Sequence, residues 1–242
     1  MSTRITSRYG RARVLVIGLG GLGCPAAMAL ADEGIGTVGL VDPDRVDASN
    51  LPRQLLYTDA DIGHRKVDAA AARLCARNPG LRVEPLCERF ETPDLAWLGT
   101  WDAVIDGTDT IASKFRVNDA CVLAGVPLAH AGAVGWRAQI LCVLPADTAC
   151  YRCIFEEPPP EGELPSCEAA GVLGPVTALA GALQAEQVLQ LLAGTRPSLA
   201  GRILSFDLGA GTWRSVPLSR NLRCAACGAV SGTRAARRSA VP

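Results

Sequence analysis

Apolar and polar positions along the chain change their rhythm every ten to fifteen residues. Arg13 to Ile17 is a short apolar run that predicts a buried strand, and a glycine-rich stretch, Gly18 to Gly23, follows it directly. Helical spacing then continues to about Glu33. Thr37 to Val41 predicts a second strand, Ile62 to Ala76 an Ala-rich helix, and Leu81 to Cys87 and Trp101 to Ile105 two further strands. Ile111 to Ala124 reads as helix and Val126 to Ala129 as strand. Strands alternating with helices predict βαβ units: an α/β, Rossmann-like, doubly wound, mostly parallel sheet with helices on both faces.

After Gly135 the texture shifts. Ala138 to Leu144 predicts a strand, and Pro158-Pro159-Pro160 marks a loop that neither helix nor sheet can absorb. Val176 to Leu192 predicts a long helix with Pro175 at its start and Gly194 just past its end. Arg202 to Phe206 and Thr212 to Val216 predict two closing strands, a C-terminal antiparallel extension. No linker splits the chain, so residues 1–228 are expected to form one domain, with an Arg-, Ser- and Gly-rich tail at 229–242 expected to be disordered.

Composition narrows the function. The chain has 242 residues and equal numbers of basic and acidic side chains, 24 each, which argues against a dedicated nucleic-acid binder. Apolar runs stay short of the ~18 residues of a membrane span, and the start lacks the apolar core of a signal peptide, so a soluble cytoplasmic protein is expected. Only two of the cations are lysines, Lys66 and Lys114.

Ten cysteines in such a compartment point to metal or catalysis before disulfides. Cys75, Cys87, Cys121 and Cys142 lie in apolar-periodic stretches and are expected in the core, and Cys24 is expected to pack at the start of the first helix. Cys150/Cys153 and Cys224/Cys227 form two C-x-x-C pairs, suited to a closed tetrahedral zinc site or, less well, to two redox pairs. Cys167 stands alone in a polar, Pro-bounded segment that suits a nucleophile.

The loop Gly18-Leu19-Gly20-Gly21-Leu22-Gly23 between strand and helix, with Asp42 ending the next strand, predicts a nucleotide site, and no Gly-Lys-Ser/Thr of a Walker loop follows it. Ser49-Asn50-Leu51-Pro52-Arg53-Gln54 and Lys66 favour a triphosphate over a nicotinamide cofactor, because cations must meet charge developing on phosphate oxygens. Asp109, in Asp106-Gly107-Thr108-Asp109-Thr110 at a strand end, is placed to hold Mg²⁺. His64 and His130 form no acid–base pair in the sequence and take no catalytic role.

These motifs, in this order from about Arg13 to Gly228, resemble the bacterial sulfur-carrier adenylyltransferases of the ThiF and MoeB type, relatives of the ubiquitin-activating enzymes. The resemblance implies ATP-dependent adenylation of the C-terminal glycine of a small β-grasp, Gly-Gly-ending sulfur carrier, with release of pyrophosphate, by a homodimer. It implies that Gly21 approaches the phosphates, Asp42 binds the ribose, and Asn50, Arg53 and Lys66 contact the triphosphate, with Ser49 in the same motif. Asp109 would hold Mg²⁺, with Asp44 a second acidic position near it, and Thr110 stands where relatives often carry Asn. Cys150, Cys153, Cys224 and Cys227 match the family's zinc ligands, and Cys167 its reactive cysteine. Catalysis is thus expected from Arg53, Lys66, Asp109 and Cys167. Arg8-Tyr9-Gly10-Arg11 matches a family motif that lies much further from the first strand in relatives, so no arginine is expected to cross a dimer interface. The competing readings are an NAD-dependent oxidoreductase, which leaves Arg53, Lys66 and the paired cysteines idle, and a non-catalytic ATP-binding scaffold.

Overall fold

The first half of the chain builds five parallel strands: β1 (Arg13–Ile17), β2 (Thr37–Val41), β3 (Arg82–Leu86), β4 (Ala103–Asp106) and β5 (Leu128–Val134). In the computed structural model, which describes residues 9–91, 93–159 and 171–230, they form one side of an 8-stranded sheet ordered β3-β2-β1-β4-β5-β6-β7-β8. β6 (Arg137–Val143), β7 (Arg202–Asp207) and β8 (Thr212–Pro217) extend it in antiparallel fashion. Five helices accompany the strands among the described residues: α1 (Gly23–Asp32), α2 (Lys66–Arg77), α3 (Leu95–Leu98), α4 (Ile111–Ala124) and α5 (Gly174–Leu192).

Alternation along β1 divides the core. Val14 and Val16 face a layer with Leu30 of α1, Val67 and Leu74 of α2 and Val188 of α5. Leu15 and Ile17 face the opposite layer with Leu98 of α3, Val117 and Cys121 of α4, and the paired cysteines. β1 is thus buried on both faces, which is why its sequence is continuously apolar rather than alternating. A third core packs Val176 and Ala180 of α5 on Ile140 of β6 and Phe206 of β7.

Several boundaries differ from the sequence expectation. α2 starts at Lys66 rather than Ile62, because a 3-10 turn at Asp59–Asp61 and Gly63 at φ +84° occupy the approach. β5 runs on to Val134 because its far end pairs with β6 through the hairpin turn Gly135-Trp136. The single-turn α3, capped by the Asp94 carboxylate accepting from the Ala96 N–H at 2.8 Å, is too short to leave a periodic signal. Cys121 and Cys142 are buried as expected, but Cys75 and Cys87 are exposed. Cys75 lies off the Val67–Ala70–Leu74 stripe by which α2 packs, and Cys87 follows β3, an edge strand whose outer side is open.

The strand order reverses between β1 and β4, opening a crevice beyond their carboxyl ends. There Gly18 (φ +86°) and Gly107 press backbone to backbone: a Cβ on Gly107 would sit 2.6 Å from the Gly18 carbonyl oxygen and 2.9 Å from the Gly23 nitrogen. Neither neighbour is a flexible side chain that could move aside. Gly107→Ala is therefore expected to cost about 3 kcal/mol, read as a lowered urea midpoint at unchanged slope. A loss below ~1 kcal/mol would show that the contact is not rigid.

Candidate nucleotide site and thiol centre

The glycine loop gathers the candidate residues around it. Leu19 N–H donates to Asp42 Oδ2 at 2.6 Å, and Asp44 N–H donates to Asp42 Oδ1 at 2.9 Å. Lys66, at the start of α2, places Nζ 3.0 Å from Asp44 Oδ2 and 4.0 Å from Asp42 Oδ1. Asp42 and Lys66 are buried, whereas Asp44 is open to solvent. Burial raises the Asp42 carboxyl above its ordinary value despite Lys66 and the two N–H donors. No side chain caps α1, whose N-cap residue is Leu22, so the helix meets the crevice with its positive end undressed.

Gly21 is explained by packing. The place of its Cβ is taken by Thr177, whose hydroxyl would lie 2.7 Å away, so the first turn of α5 rests on the loop. Gly174, which opens that turn, abuts the segment carrying Arg53: its Cβ position is 2.7 Å from the Pro52 carbonyl oxygen and 3.5 Å from the Arg53 Cα. The starts of two long helices and the Ser49–Gln54 segment thus converge on one loop.

That segment is ordered by its own polar groups. Asp47 Oδ1 accepts from Ser49 N–H at 2.8 Å and from Ser49 Oγ at 2.6 Å, which holds its carboxyl below the ordinary range. Asn50 Nδ2 donates to Ser49 Oγ at 3.1 Å, and buried Gln54 Nε2 donates to Asn50 Oδ1 at 2.8 Å. Arg53 Nη1 donates to the Ser49 carbonyl at 3.0 Å, which ties its guanidinium to the same turn.

At the end of β4 lies a buried ion cluster that the sequence reading did not assemble. Asp106 Oδ1 accepts from the Thr108 N–H at 2.9 Å and its hydroxyl at 2.6 Å. Lys114 Nζ is 3.3 Å from Asp106 Oδ2 and also donates to the Ala131 carbonyl. His130 Nδ1 is 2.7 Å from the same Oδ2, off the line of a well-formed hydrogen bond. Gln184 of α5 donates to the carbonyls of Asp106 at 2.7 Å and Ala129 at 2.9 Å. Against the penalty of full burial, Lys114 and then His130 hold the Asp106 carboxyl well below the usual carboxylate range, while burial pushes the His130 imidazole down. The rarity of lysine is the one sequence signal that marks Lys114. Asp109 follows on the exposed side of this knot, and Thr110 spends its hydroxyl capping α4, accepting from the Ser113 N–H at 3.2 Å.

A cavity of about 570 Å³ opens beyond the carboxyl ends of β2 and β3, lined by Val41, Leu86, Phe90 and Trp97 with Glu88 and Asp94. Its volume and partly apolar wall suit a planar heterocycle. Phe90 and Trp97 lie in stretches without periodicity, and the sequence reading passed over them.

The four expected metal ligands meet. Cys150, Cys153, Cys224 and Cys227 bring their sulfurs within 4.8 Å of one another, with three pairs at 4.0, 3.7 and 3.4 Å. A tetrahedral ion with ~2.3 Å bonds to sulfur requires pairs near 3.8 Å, so the cluster fits zinc. Asn221 N–H donates to Cys153 Sγ at 3.4 Å, a contact that orients this sulfur. Burial raises the Cys150 thiol, and four thiolates this close would repel one another, so a cation is what would keep all four ionised. Cys167 and Arg8 lie outside the described residues, and Arg11 sits in the exposed turn that enters β1.

His130 yields a pH test. Its folded-state value is depressed below the ordinary 6.5, so the unfolded chain binds a proton there first, and stability falls as pH drops below about 6.5. The slope from this one group reaches at most ~1.4 kcal/mol per pH unit. His130→Phe should flatten the decline of the denaturant midpoint between pH 7.5 and 5.5; an identical decline in both proteins would contradict the assignment. For the thiol centre, Cys150→Ser or Cys227→Ser should lower zinc content and melting temperature together, the latter by roughly 10 °C. Metal analysis of the purified chain that finds no zinc would overturn this.

A model of the ThiF family matches residues 2–226. The chain is 44% identical over 224 residues to the adenylyltransferase and sulfurtransferase MOCS3 of Sus scrofa, covering 91% of this chain and 49% of that protein. It is 41% identical over 227 residues to the sulfur carrier protein adenylyltransferase of Thermus thermophilus (91% and 84% covered). Against the SAMP-activating enzyme E1 of Haloferax volcanii it is 37% identical over 217 residues (89% and 80%). The chain spans about half the length of the MOCS3 relatives it matches. Its fold is also that of E. coli MccB solved with AMPCPP and MccA, with a TM-score of 0.78, 25% identity, and 91% of this chain and 68% of that one covered. The family match takes in the whole crevice and reaches, to within one residue, the last thiol of the cysteine centre, and the chain belongs to the ThiF family.

Proposed function

We propose that this protein is an ATP-dependent adenylyltransferase that activates the C-terminal glycine carboxylate of a small β-grasp sulfur carrier. The observation that carries the reading is a ribose-type carboxylate, Asp42, held against the glycine loop with Lys66 beside it, where an uncapped helix starts and the segment carrying Arg53 abuts the first turn of α5. A hydride-transfer site needs the carboxylate and the glycines but has no use for the cations.

In this reading the base occupies the cavity by Phe90 and Trp97, and Asp42 accepts from a ribose hydroxyl. The carrier carboxylate attacks the α-phosphorus, the bond to the bridging oxygen breaks, and pyrophosphate leaves with the electron pair. Negative charge grows on the leaving group, and Arg53 and Lys66 are the cations that meet it, Lys66 exchanging part of its contact with Asp44 for a phosphate oxygen. Asn50 and Ser49 supply polar contacts to the same phosphates. Asp109, with Asp44 beside Lys66, would hold Mg²⁺, which neutralises phosphate charge when bound. Thr110, committed to its cap, contributes through the α4 start and not as an amide in the manner of Asn.

The four-cysteine centre binds zinc in a structural role, and the reaction belongs to the cytoplasm, where cysteines outside such a centre stay reduced. Cys167 acts after adenylation as the sulfur-relay thiol. Support comes from where the chain leads after it: Gly174 abuts Pro52 and Arg53, and Gly135 N–H donates to the Gly171 carbonyl at 2.9 Å. The carrier docks on the face of β6, β7 and β8 that no helix covers among the described residues, where Arg137, Gln139 and Arg214 are exposed. The working unit is a homodimer, for which exposed Leu55 and Leu173 offer apolar surface near the site.

Carrier-dependent ATP–pyrophosphate exchange tests the reading. Radiolabelled pyrophosphate should enter ATP only when a Gly-Gly-ending carrier is present. Arg53→Ala and Lys66→Ala should each slow exchange ~10²-fold, the scale of a lost cation facing transition-state charge. Cys167→Ser should impair sulfur transfer more than exchange. Exchange at the parent rate in either cation variant removes that residue from the site, and no exchange with any such carrier removes the function.

A further inference from the structure

Gln54 closes the phosphate motif, yet nothing in the proposed mechanism uses it. It is 3% exposed, its amide lies over the glycine loop with Nε2 4.0 Å from the Cβ position of Gly20, and its Oε1 is buried with no hydrogen-bond partner among the described residues. An orphaned buried carbonyl oxygen calls for a reason.

The reason follows from counting protons. Asp47 is an exposed, ionised carboxylate and can only accept, so Ser49 must give its single hydroxyl proton to Asp47 Oδ1. Ser49 Oγ can then only accept from Asn50, which turns Asn50 Nδ2 toward Ser49 and Oδ1 the other way. Asn50 Oδ1 in turn demands a donor, and Gln54 can supply one only by presenting Nε2, which leaves its own Oε1 facing the interior. The four side chains form a relay of one polarity, from Gln54 through Asn50 and Ser49 to Asp47. The orphaned oxygen is the end of that chain.

We infer that Gln54 is a positioning residue that occupies the carbonyl of Asn50, so that Asn50 offers the nucleotide phosphates N–H and no oxygen. The point rests on the reading that Asn50 faces those phosphates. Among the described residues no group accepts the second N–H of Asn50 Nδ2, which leaves it for that use. Without Gln54 the amide can turn and set a carbonyl against a polyanion.

The test is a double-mutant cycle read by calorimetric binding of Mg²⁺–AMPCPP to the full chain, with melting temperature and zinc content measured for each variant. Gln54→Met should weaken binding ~10-fold, the scale of a hydrogen bond to a charged group. In an Asn50→Ala background the same change should cost less than ~2-fold, because the group it orients is gone. Gln54→Glu, an obligate acceptor that forces the amide around and adds charge, should weaken binding more than Gln54→Met. If Gln54→Met fails to fold, Asp47→Ala at the exposed end of the relay carries the same cycle: it should weaken binding with Asn50 present and not without it. Equal losses in both backgrounds would make the role merely structural and overturn the inference. Unchanged binding on Asn50→Ala would overturn the reading of Asn50 itself, while a loss on Asn50→Ala with none on Gln54→Met or Asp47→Ala would overturn only the role of Gln54.

Discussion

Everything in the crevice is hung on the backbone contact between Gly18 and Gly107. β1 and β4 are neighbours in the sheet but lie some ninety residues apart in sequence, and the turns that leave them must pass within van der Waals distance. A side chain on either glycine would wedge those turns apart. With both in place, α1 starts against β4, Leu19 N–H reaches the end of β2 at Asp42, and Asp106 is drawn under the loop. The glycine pattern is first a packing device, and the space for the proposed nucleotide is what that packing leaves open.

Charge is arranged accordingly. Among the described residues the two lysines are the buried cations: Lys66 against Asp42 and Asp44, Lys114 against Asp106. Arginine predominates among the other basic residues and serves the surface pairs, such as Arg13–Glu84 and Arg137–Asp207, where a planar fork can reach a carboxylate from solvent. A compact ammonium fits between oxygens where a guanidinium has no room. Breaking such a buried pair from one side strands the other charge, at a cost of about 3–5 kcal/mol. Of the two pairs, only that of Lys66 has an exposed partner, Asp44, which can be resolvated if the lysine lets go, as the proposed contact with phosphate requires.

The parts legible in the sequence were those set by local pattern. Continuous apolar runs gave β1, β2 and β4, and the two C-x-x-C pairs identified a centre whose ligands meet across the fold. What stayed hidden depends on partners distant in the chain. Nothing near His130 announces Asp106, nothing near Gln184 announces the carbonyls it holds, and Thr177 gives no sign that it fills the space at Gly21. Cys75 and Cys87 misled for the opposite reason: their flanks are apolar, but one lies beside the packing stripe of α2 and the other beyond the sheet edge. The Asp47–Gln54 relay is local in sequence, yet its polarity emerges only when each proton is assigned a single acceptor.

The thiol centre does more than fasten the end of the chain. Tyr151, inside the first C-x-x-C, donates its N–H to Asn118 Oδ1 at 2.8 Å, and its ring packs 4.9 Å from Phe115 and 4.3 Å from His130. Arg152 beside it grips both oxygens of Asp119 and lies over the Phe115 ring. Phe115, Asn118 and Asp119 share α4 with Lys114, and the same helix is capped by Thr110, next to Asp109. A helix clamped along its middle by the cysteine knuckle cannot slide, so its first turn and the Asp106–Thr110 loop are fixed relative to β4. Zinc drawing the four sulfurs together would therefore stiffen the acidic edge of the crevice through α4 without touching it, and the loss of either C-x-x-C pair would loosen both ends of that helix at once.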